Sequence, residues 1–130
     1  KLTEEERNIV KTHSEKGAKI LAKVPQLDYV SKIVRHHHEH YDGKGYPDGL
    51  SGEDIPLAAR IIAASDAFDA MSSDRAYRSA SAMKDAIKSM IKLKYSQFDP
   101  YVVDVLNELV TSGKISELLE SVKSEFDKAA

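Results

Sequence analysis

The chain of 130 residues is long enough for one domain, spanning residues 1–130, with a single hydrophobic core. Hydrophobic residues make up 42% of it and charged residues 31%, which excludes a disordered chain and a membrane-spanning one. The net charge of −2 gives no reason to expect a nucleic acid polymer as partner. The absence of cysteine excludes disulfides and thiolate metal sites, and it fits a cytoplasmic location.

The first third of the chain predicts two helices. Thr3 and Glu6 have the spacing of a capping box at the start of a helix that extends to about Lys23. After Pro25, Asp28 can cap a second helix that runs into a group of histidines. The apolar residues at three- and four-residue steps predict a buried stripe on each helix. In the first helix the stripe holds Ile9, Val10, Gly17, Ile20, Leu21 and Val24, and in the second Val30, Ile33 and Val34.

The rest of the chain predicts further helices after a loop. Residues 42–56 hold four glycines and two prolines, a composition typical of loops. Asp99 and Pro100 have the pattern of an N-cap followed by the first helical residue. No alternating strand pattern is present, so the predicted fold is an all-α bundle of five to six helices. The helices after the loop are predicted over residues 56–72, 80–93 and 100–113, and from residue 116 onward.

Helical spacing separates the histidines of residues 36–42 into two groups. His37 and His38 follow Ile33 and Val34 by four residues and are predicted to point inward, whereas His36 lies on the polar side. His40 remains ambiguous, because the helix can end before it.

The first and third helices also carry polar residues on faces predicted to be buried. His13 lies between Val10 and Gly17 on the apolar stripe, and Gly17 in mid-helix predicts a close approach by another element. In the third helix, Asp66 and Asp69 lie on or beside the predicted buried face. That face is formed by Ala58, Ile61, Ile62 and Ser65. A buried carboxylate needs a cation, a donor or a metal.

Three helices are thus predicted to direct His13, His37, His38 and Asp66 into one interior. Imidazole nitrogens and a carboxylate oxygen suit Fe, Mn, Zn or Ni without choosing among them. Adjacent helical residues diverge by about 100°, so His37 and His38 would more naturally hold two neighbouring metals than chelate one. The carboxylates predicted to orient the ring N–H groups are Glu39, Asp42 and Asp69.

Other interpretations of the same residues remain open. His36 and His40 have the i, i+4 spacing of a different chelate, and consecutive histidines also occur at solvated helix ends. Asp66 and Asp69 could instead pair with arginines in a structural network, namely Arg60, Arg75 or Arg78. Near a metal cluster, Arg75 and Arg78 would suit a phosphate, although surface arginines also cap helix ends.

Several strings of the sequence together resemble the HD-GYP family, metal-dependent phosphodiesterases of bacterial cyclic di-GMP signalling. They are HHEHYDGKGYP from His37, IPLAARIIAASDAFDAM from Ile55, SDRAYRSA from Ser73, KLTEEERNIVKTHSEKGAKIL at the start and FDPYVV from Phe98. The resemblance spans roughly residues 2–110. It implies an all-α HD bundle with a bi- or trinuclear centre, usually of iron or manganese.

Position by position, the resemblance implies metal ligation by His13, His37, His38 and Asp66, with catalysis at the last three. It implies that Arg75 and Arg78 hold a substrate phosphate. Gly45, Tyr46 and Pro47 match the family's signature, on a loop linked to substrate access and to GGDEF-type diguanylate cyclase partners. In the family, a metal-bridging hydroxide attacks phosphorus and yields linear pGpG or GMP.

The chain contains no His-Asp dipeptide, the pair from which the family is named. We therefore expect that pair, with other ligands and helices, before Lys1, in an HD half or beside a sensor domain, and we expect this chain to be an inactive fragment without them. Without it, part of the apolar face of the first two helices would be uncovered, which predicts a homodimer or a domain swap. The alternative function is that of a degenerate binding or regulatory module, and a purely structural helical domain is a third.

Overall fold

The computed structural model describes residues 2–72 and 80–129, which form six α-helices and no β-strand. The helices are α1 Glu4–Leu21, α2 Asp28–His36, α3 Leu57–Ser72, α4 Ala80–Ile91, α5 Pro100–Thr111 and α6 Lys114–Ala129. The all-α prediction is confirmed for this part of the chain, and the predicted helix limits lie within about two residues of the observed ones. None of these helices has a stretch that is apolar and long enough to cross a lipid bilayer.

Side-chain caps account for the starts of α1 and α5. The Thr3 hydroxyl accepts a hydrogen bond from the Glu6 backbone N–H, and the Glu6 carboxylate accepts one from the Thr3 N–H, which completes the predicted capping box. The Asp99 carboxylate accepts hydrogen bonds from the N–H groups of Tyr101 and Val102 and so caps α5.

The start of α2 differs from the prediction. Leu27 precedes the helix and makes no side-chain capping bond, whereas Asp28 lies inside the first turn. Its carboxylate pairs with Lys32 one turn later. The capping role predicted for Asp28 is therefore wrong, because the 3₁₀ turn Pro25–Leu27 leads directly into the helix.

The hydrophobic core lies between α3, α4 and α5, with part of α6 packed against it. Its buried residues are Ala64, Phe68, Met83, Ala86, Ile87, Met90, Phe98, Val103 and Val110. The buried face predicted for α3 is wrong: Ile61, Ile62 and Ser65 are exposed and Ala58 is half-buried. This helix is apolar on most sides, so its periodicity could not select the face that α4 and α5 cover.

Small and polar residues make the contact between α1 and α2. Ser14 and Ala18 of α1 and Ser31 of α2 are buried, and the Ser31 hydroxyl donates to the Ala18 carbonyl over 2.9 Å. A Cβ on Gly17 would lie 3.1 Å from Cγ1 of Val34, which confirms the close approach predicted there. The two helices therefore approach closely through residues without bulk.

The apolar stripe predicted to be buried on α1 is largely exposed. Exposed fractions are 66% for Ile9, 50% for Val10, 65% for Ile20 and 44% for Val24. Gly17 and Leu21 are half-buried. The prediction of burial was wrong for these four residues, and the expectation of a partly uncovered face agrees with their exposure.

Candidate metal centre

Three histidine side chains from α1 and from the end of α2 meet at one point. Nε2 of His13 lies 3.3 Å from Nε2 of His37 and 3.1 Å from Nε2 of His38. The ligand atoms of the three residues all lie within 4.8 Å of one another. The structure thus brings together the three histidines that the sequence predicts in a common interior, although His13 itself is exposed.

Backbone carbonyls orient two of the rings. Nδ1 of His13 lies 2.7 Å from the Val10 carbonyl oxygen, and Nδ1 of His37 lies 2.7 Å from that of Val34. A carbonyl only accepts, so Nδ1 carries the proton in both rings and Nε2 of each neutral ring presents a lone pair. Backbone carbonyls thus accept these two N–H groups, and the orienting role of Glu39, Asp42 and Asp69 stays a prediction.

The end of α2 explains why adjacent histidines converge rather than diverge. The helix ends at His36, His37 is its C-cap residue, and His38 already lies beyond it. The angle of about 100° between neighbours applies only inside a helix. The rings of His37 and His38 therefore lie side by side, with centroids 3.9 Å apart, and both reach the same His13 nitrogen.

The spacing of these nitrogens fits a shared metal ion. Two neutral rings whose Nε2 lone pairs face each other at 3.3 Å repel unless a proton or a cation lies between them. Nitrogens about 2.1 Å from one ion lie about 3.0 Å apart at right angles and about 3.4 Å apart in a tetrahedron. The two separations from the His13 nitrogen fall in that interval, so each of these two pairs of nitrogens fits a divalent transition metal ion.

His38 is held in the form that a metal requires. Burial, together with the neighbouring His37, His13 and His40, lowers its pKa to about 4, and the Asp66 carboxylate opposes this shift. The ring is therefore neutral at pH 7, with a lone pair available for a metal.

A pocket of about 100 Å³ opens beside the cluster. Its lining includes His37, His38, His40, Tyr46 and Asp66. Asp66 thus faces the same pocket as two of the histidines, as its position in the third helix predicted. Asp66 and Asp69 are exposed, however, so the expectation that α3 buries two carboxylates is wrong.

The loop after α2 folds back over the histidines. The Tyr46 N–H donates to the His38 carbonyl over 3.2 Å, and its ring centroid lies 5.0 Å from that of the His38 ring. A Cβ on Gly45 would lie 2.2 Å from the backbone nitrogen of His40, so only glycine fits here. The peptide bond between Tyr46 and Pro47 is cis.

Lys11 reaches the same loop, and sequence patterns did not single it out. Its ammonium group lies 5.4 Å from the Tyr46 ring centroid. Only its position two residues before His13 could have drawn attention to it, and helical periodicity places such neighbours on different faces.

An ion network fastens the loop to α2. The Arg35 guanidinium donates to both carboxylate oxygens of Asp48 over 2.6 and 2.7 Å, and Nε2 of His36 lies 2.9 Å from the same carboxylate. The His36 side chain is only 13% exposed, so the prediction of a solvated residue is wrong. The Asp42 carboxylate, which is predicted to orient a histidine ring, forms an ion pair with Lys44.

The predicted arginines divide between two outcomes. Arg75 and Arg78 lie outside the described residues. Arg60 donates to Asp99 at the start of α5 and to the Ile55 carbonyl, whereas the alternative interpretation predicts that it pairs with Asp66.

Comparison with known proteins agrees with this architecture. The sequence pattern of the HD domain family matches residues 1–102. The cyclic di-GMP phosphodiesterase response regulator RpfG of Xanthomonas campestris is 44% identical over 108 residues, covering 82% of this chain and 29% of RpfG. A cyclic di-GMP phosphodiesterase of Thermotoga maritima is 37% identical over 126 residues, covering 95% of this chain and 34% of the length of the Thermotoga protein.

A solved structure shares the fold. The crystal structure of a cyclic GMP-AMP-specific phosphodiesterase of Vibrio cholerae superimposes with a TM-score of 0.71 at 24% identity, covering 82% of this chain and 24% of that one. The chain spans about a third or less of the length of each of these proteins. With the family pattern matching residues 1–102, the chain belongs to the HD domain family, as its resemblance to HD-GYP proteins predicted.

Proposed function

We propose that this chain forms the metal-binding part of a phosphodiesterase that hydrolyses cyclic di-GMP to pGpG or GMP. The observation that carries the proposal is the convergence of the Nε2 atoms of His13, His37 and His38 beside the pocket that Asp66 lines. The two relatives named as cyclic di-GMP phosphodiesterases support the choice of substrate.

In this proposal His13, His37, His38 and Asp66 hold the metal, and the last three act at the reacting phosphate. Iron or manganese is the first choice and zinc or nickel the second, in a bi- or trinuclear centre once all ligands are in place. When bound, the metal acidifies water and neutralises the charge of the phosphoryl group. Neutral His38 provides a lone pair without first losing a proton.

The loop and two arginines serve the substrate in the same proposal. Gly45, Tyr46 and Pro47 form the wall of the site over His38, and Arg75 and Arg78 hold a substrate phosphate by bidentate hydrogen bonds. The outer surface of the loop is the proposed contact for a GGDEF-type diguanylate cyclase. We also propose that the protein is cytoplasmic. The remaining metal ligands would come from an HD half, and a sensor domain would belong to the same protein.

A cyclic GMP-AMP dinucleotide is the second candidate substrate. The specific observation in its favour is the fold shared with the Vibrio cholerae enzyme. Both dinucleotides carry the same phosphodiester groups, so the described histidines and Asp66 would serve either one, and the residues that contact the bases decide between them.

Metal content tests the centre directly. Tag-free protein prepared without chelator should carry on the order of one or more transition-metal ions per chain by elemental analysis. His37→Ala/His38→Ala should lose that metal, because two of three converging ligands are gone. His36→Ala, whose side chain binds Asp48 instead, is the matched control and should keep it. A parent chain without metal, even after incubation with Mn²⁺, would contradict the proposal.

Hydrolysis tests the activity. Cyclic di-GMP and cyclic GMP-AMP should be assayed separately by chromatography of the products, with the metal-loaded chain and with the longer protein. His38→Ala should lower kcat/KM at least 100-fold for the true substrate. Full activity of that variant would exclude the assigned site, and metal binding without hydrolysis of either dinucleotide would favour a binding or regulatory module.

A further inference from the structure

Glu39 combines deep burial with incomplete hydrogen bonding directly after the two histidines. The residue is 3% exposed. Its Oε1 accepts hydrogen bonds from the backbone N–H groups of Asp48 over 2.7 Å and of Gly49 over 3.1 Å. Its Oε2 is buried and has no hydrogen-bond partner among the residues that the structure describes.

Fold stability alone does not explain a carboxylate in this environment. Burying a charged group costs free energy that hydrogen bonds must offset, and here only one of the two oxygens is paired with the protein. A glutamine in the same place could accept the two N–H bonds without burying a charge. The two hydrogen bonds that Oε1 accepts, rather than the charge of Glu39, therefore define its structural role.

The loop that Glu39 holds carries the contacts to His38. Asp48 and Gly49 directly follow Gly45, Tyr46 and Pro47. Tyr46 donates its N–H to the His38 carbonyl, and its ring lies against the His38 ring. Gly45 lies so close to the Glu39 backbone that a Cβ would come within 2.5 Å of the Glu39 Cα. The loop therefore cannot shift without moving the segment that contains the two histidines.

From these contacts we propose that Glu39 is a positioning residue for the metal centre. Its hydrogen bonds from the Asp48 and Gly49 N–H groups fix the position of the loop. The loop in turn determines the position and orientation of the His38 ring through Tyr46. This inference rests on the proposed function, since it takes His38 as a metal ligand. It assigns to Glu39 a role different from the orientation of ring N–H groups, which backbone carbonyls perform for His13 and His37.

Metal affinity separates positioning from a purely structural role. Glu39→Met keeps the volume and removes the acceptor, and Glu39→Gln keeps an acceptor. The Kd for Co²⁺ and Mn²⁺ should be measured by titration calorimetry, together with the Co²⁺ absorption spectrum and the thermal midpoint of the metal-free protein. We expect Glu39→Met to bind 10- to 100-fold more weakly, with an altered spectrum, and Glu39→Gln to stay within about threefold of the parent.

A core variant provides the matched control. Val110→Ala removes buried volume between α5 and α6 and should lower the thermal midpoint without changing the Kd or the spectrum. If Glu39→Met does not fold, Tyr46→Leu removes the ring against His38 and should weaken binding in its place.

The possible outcomes distinguish this inference from the proposed function. Unchanged Kd and spectrum in the folded Glu39→Met variant would overturn the positioning role while leaving the centre intact. An equal loss in Glu39→Gln would assign the effect to the charge and overturn the seating explanation. A parent that binds neither ion would overturn the metal centre and this inference with it.

Discussion

Helices α3, α4 and α5 meet through large apolar side chains such as Phe68, Met90 and Val103, whereas α1 and α2 meet through Ser14, Ala18 and Ser31. We call the first group of helices the apolar half, and α1, α2 and residues 37–56 the histidine half. In the histidine half, hydrogen bonds and one ion network hold the segments together, and several large apolar residues of α1 stay exposed.

The difference shows how one small domain divides stability and function. Buried apolar area contributes most of the free energy of folding, and the apolar half contains most of it. The histidine half has little such area, so specific polar contacts determine its geometry. A metal ion that binds the folded state and not the unfolded state would stabilise this half by mass action.

The largest effect on stability should come from the apolar half. Phe68→Ala removes a ring that is 6% exposed and should lower the free energy of unfolding by about 3–5 kcal/mol, because a cavity replaces the packed ring. Urea denaturation of the metal-free protein measures it. Leu118→Ala, at a residue that is 61% exposed, is the control and should change little. If Phe68→Ala lowered the free energy of unfolding by less than about 1 kcal/mol, the apolar half would not be the main source of stability.

A smaller but more specific effect is expected at Gly45. In Gly45→Ala the new Cβ would lie 2.2 Å from the His40 nitrogen, so backbone must move, at a cost of about 1–3 kcal/mol. Because the backbone that moves adjoins His38, Co²⁺ affinity should fall as well. Gly52→Ala is the control: its φ of +54° lowers stability in an alanine variant, but its Cβ meets no atom within 4 Å, so the Co²⁺ affinity should be kept. Equal affinities in the two variants would mean that the loop is not coupled to the cluster.

The ion network should make the histidine half sensitive to acid. Hydrogen bonding to Arg35 lowers the pKa of Asp48 to about 2 from its usual 3.8. Since the folded-state pKa lies below the unfolded one, this stabilisation is complete above about pH 4 and is lost as the pH falls towards 2. Both side chains are about one-third exposed, so Asp48→Asn should cost only about 1 kcal/mol at pH 7.

Denaturation at two pH values measures that dependence. The difference in free energy of unfolding between the parent and Asp48→Asn should be present at pH 7 and nearly absent at pH 2. A difference that is the same at both values would mean that the carboxylate charge contributes nothing to the contact with Arg35.

The smallest effect on folding is expected on the exposed face of α1. Ile20→Ser should change the free energy of unfolding by less than about 0.5 kcal/mol, because the side chain is 65% exposed. The same face carries the predicted self-association, so sedimentation of Ile9→Ser/Ile20→Ser tests it. A parent dimer that becomes monomeric in the variant would support the prediction, and a parent that is monomeric would contradict it.

Sequence patterns predicted the site better than they predicted the faces of the helices. His13, His37 and His38 were placed together correctly, but partly for the wrong reason. Helical spacing predicts that His37 and His38 point inward, whereas they converge because α2 has already ended. His36 was expected in solvent, since its partner Asp48 lies twelve residues away in a loop whose path no local rule predicts.

Interactions within one or two turns were enough to determine where α1 and α5 begin, that residues 42–56 form a loop, and that no strand forms in the described residues. Capping boxes, prolines and glycines act over such short distances. The buried face of α3, the exposure of Ile9 and Ile20, and the fastening of the loop by Glu39 and Asp48 depended on which segments pack against each other. Those choices rest on contacts between residues far apart in sequence, which no periodicity within a single helix records.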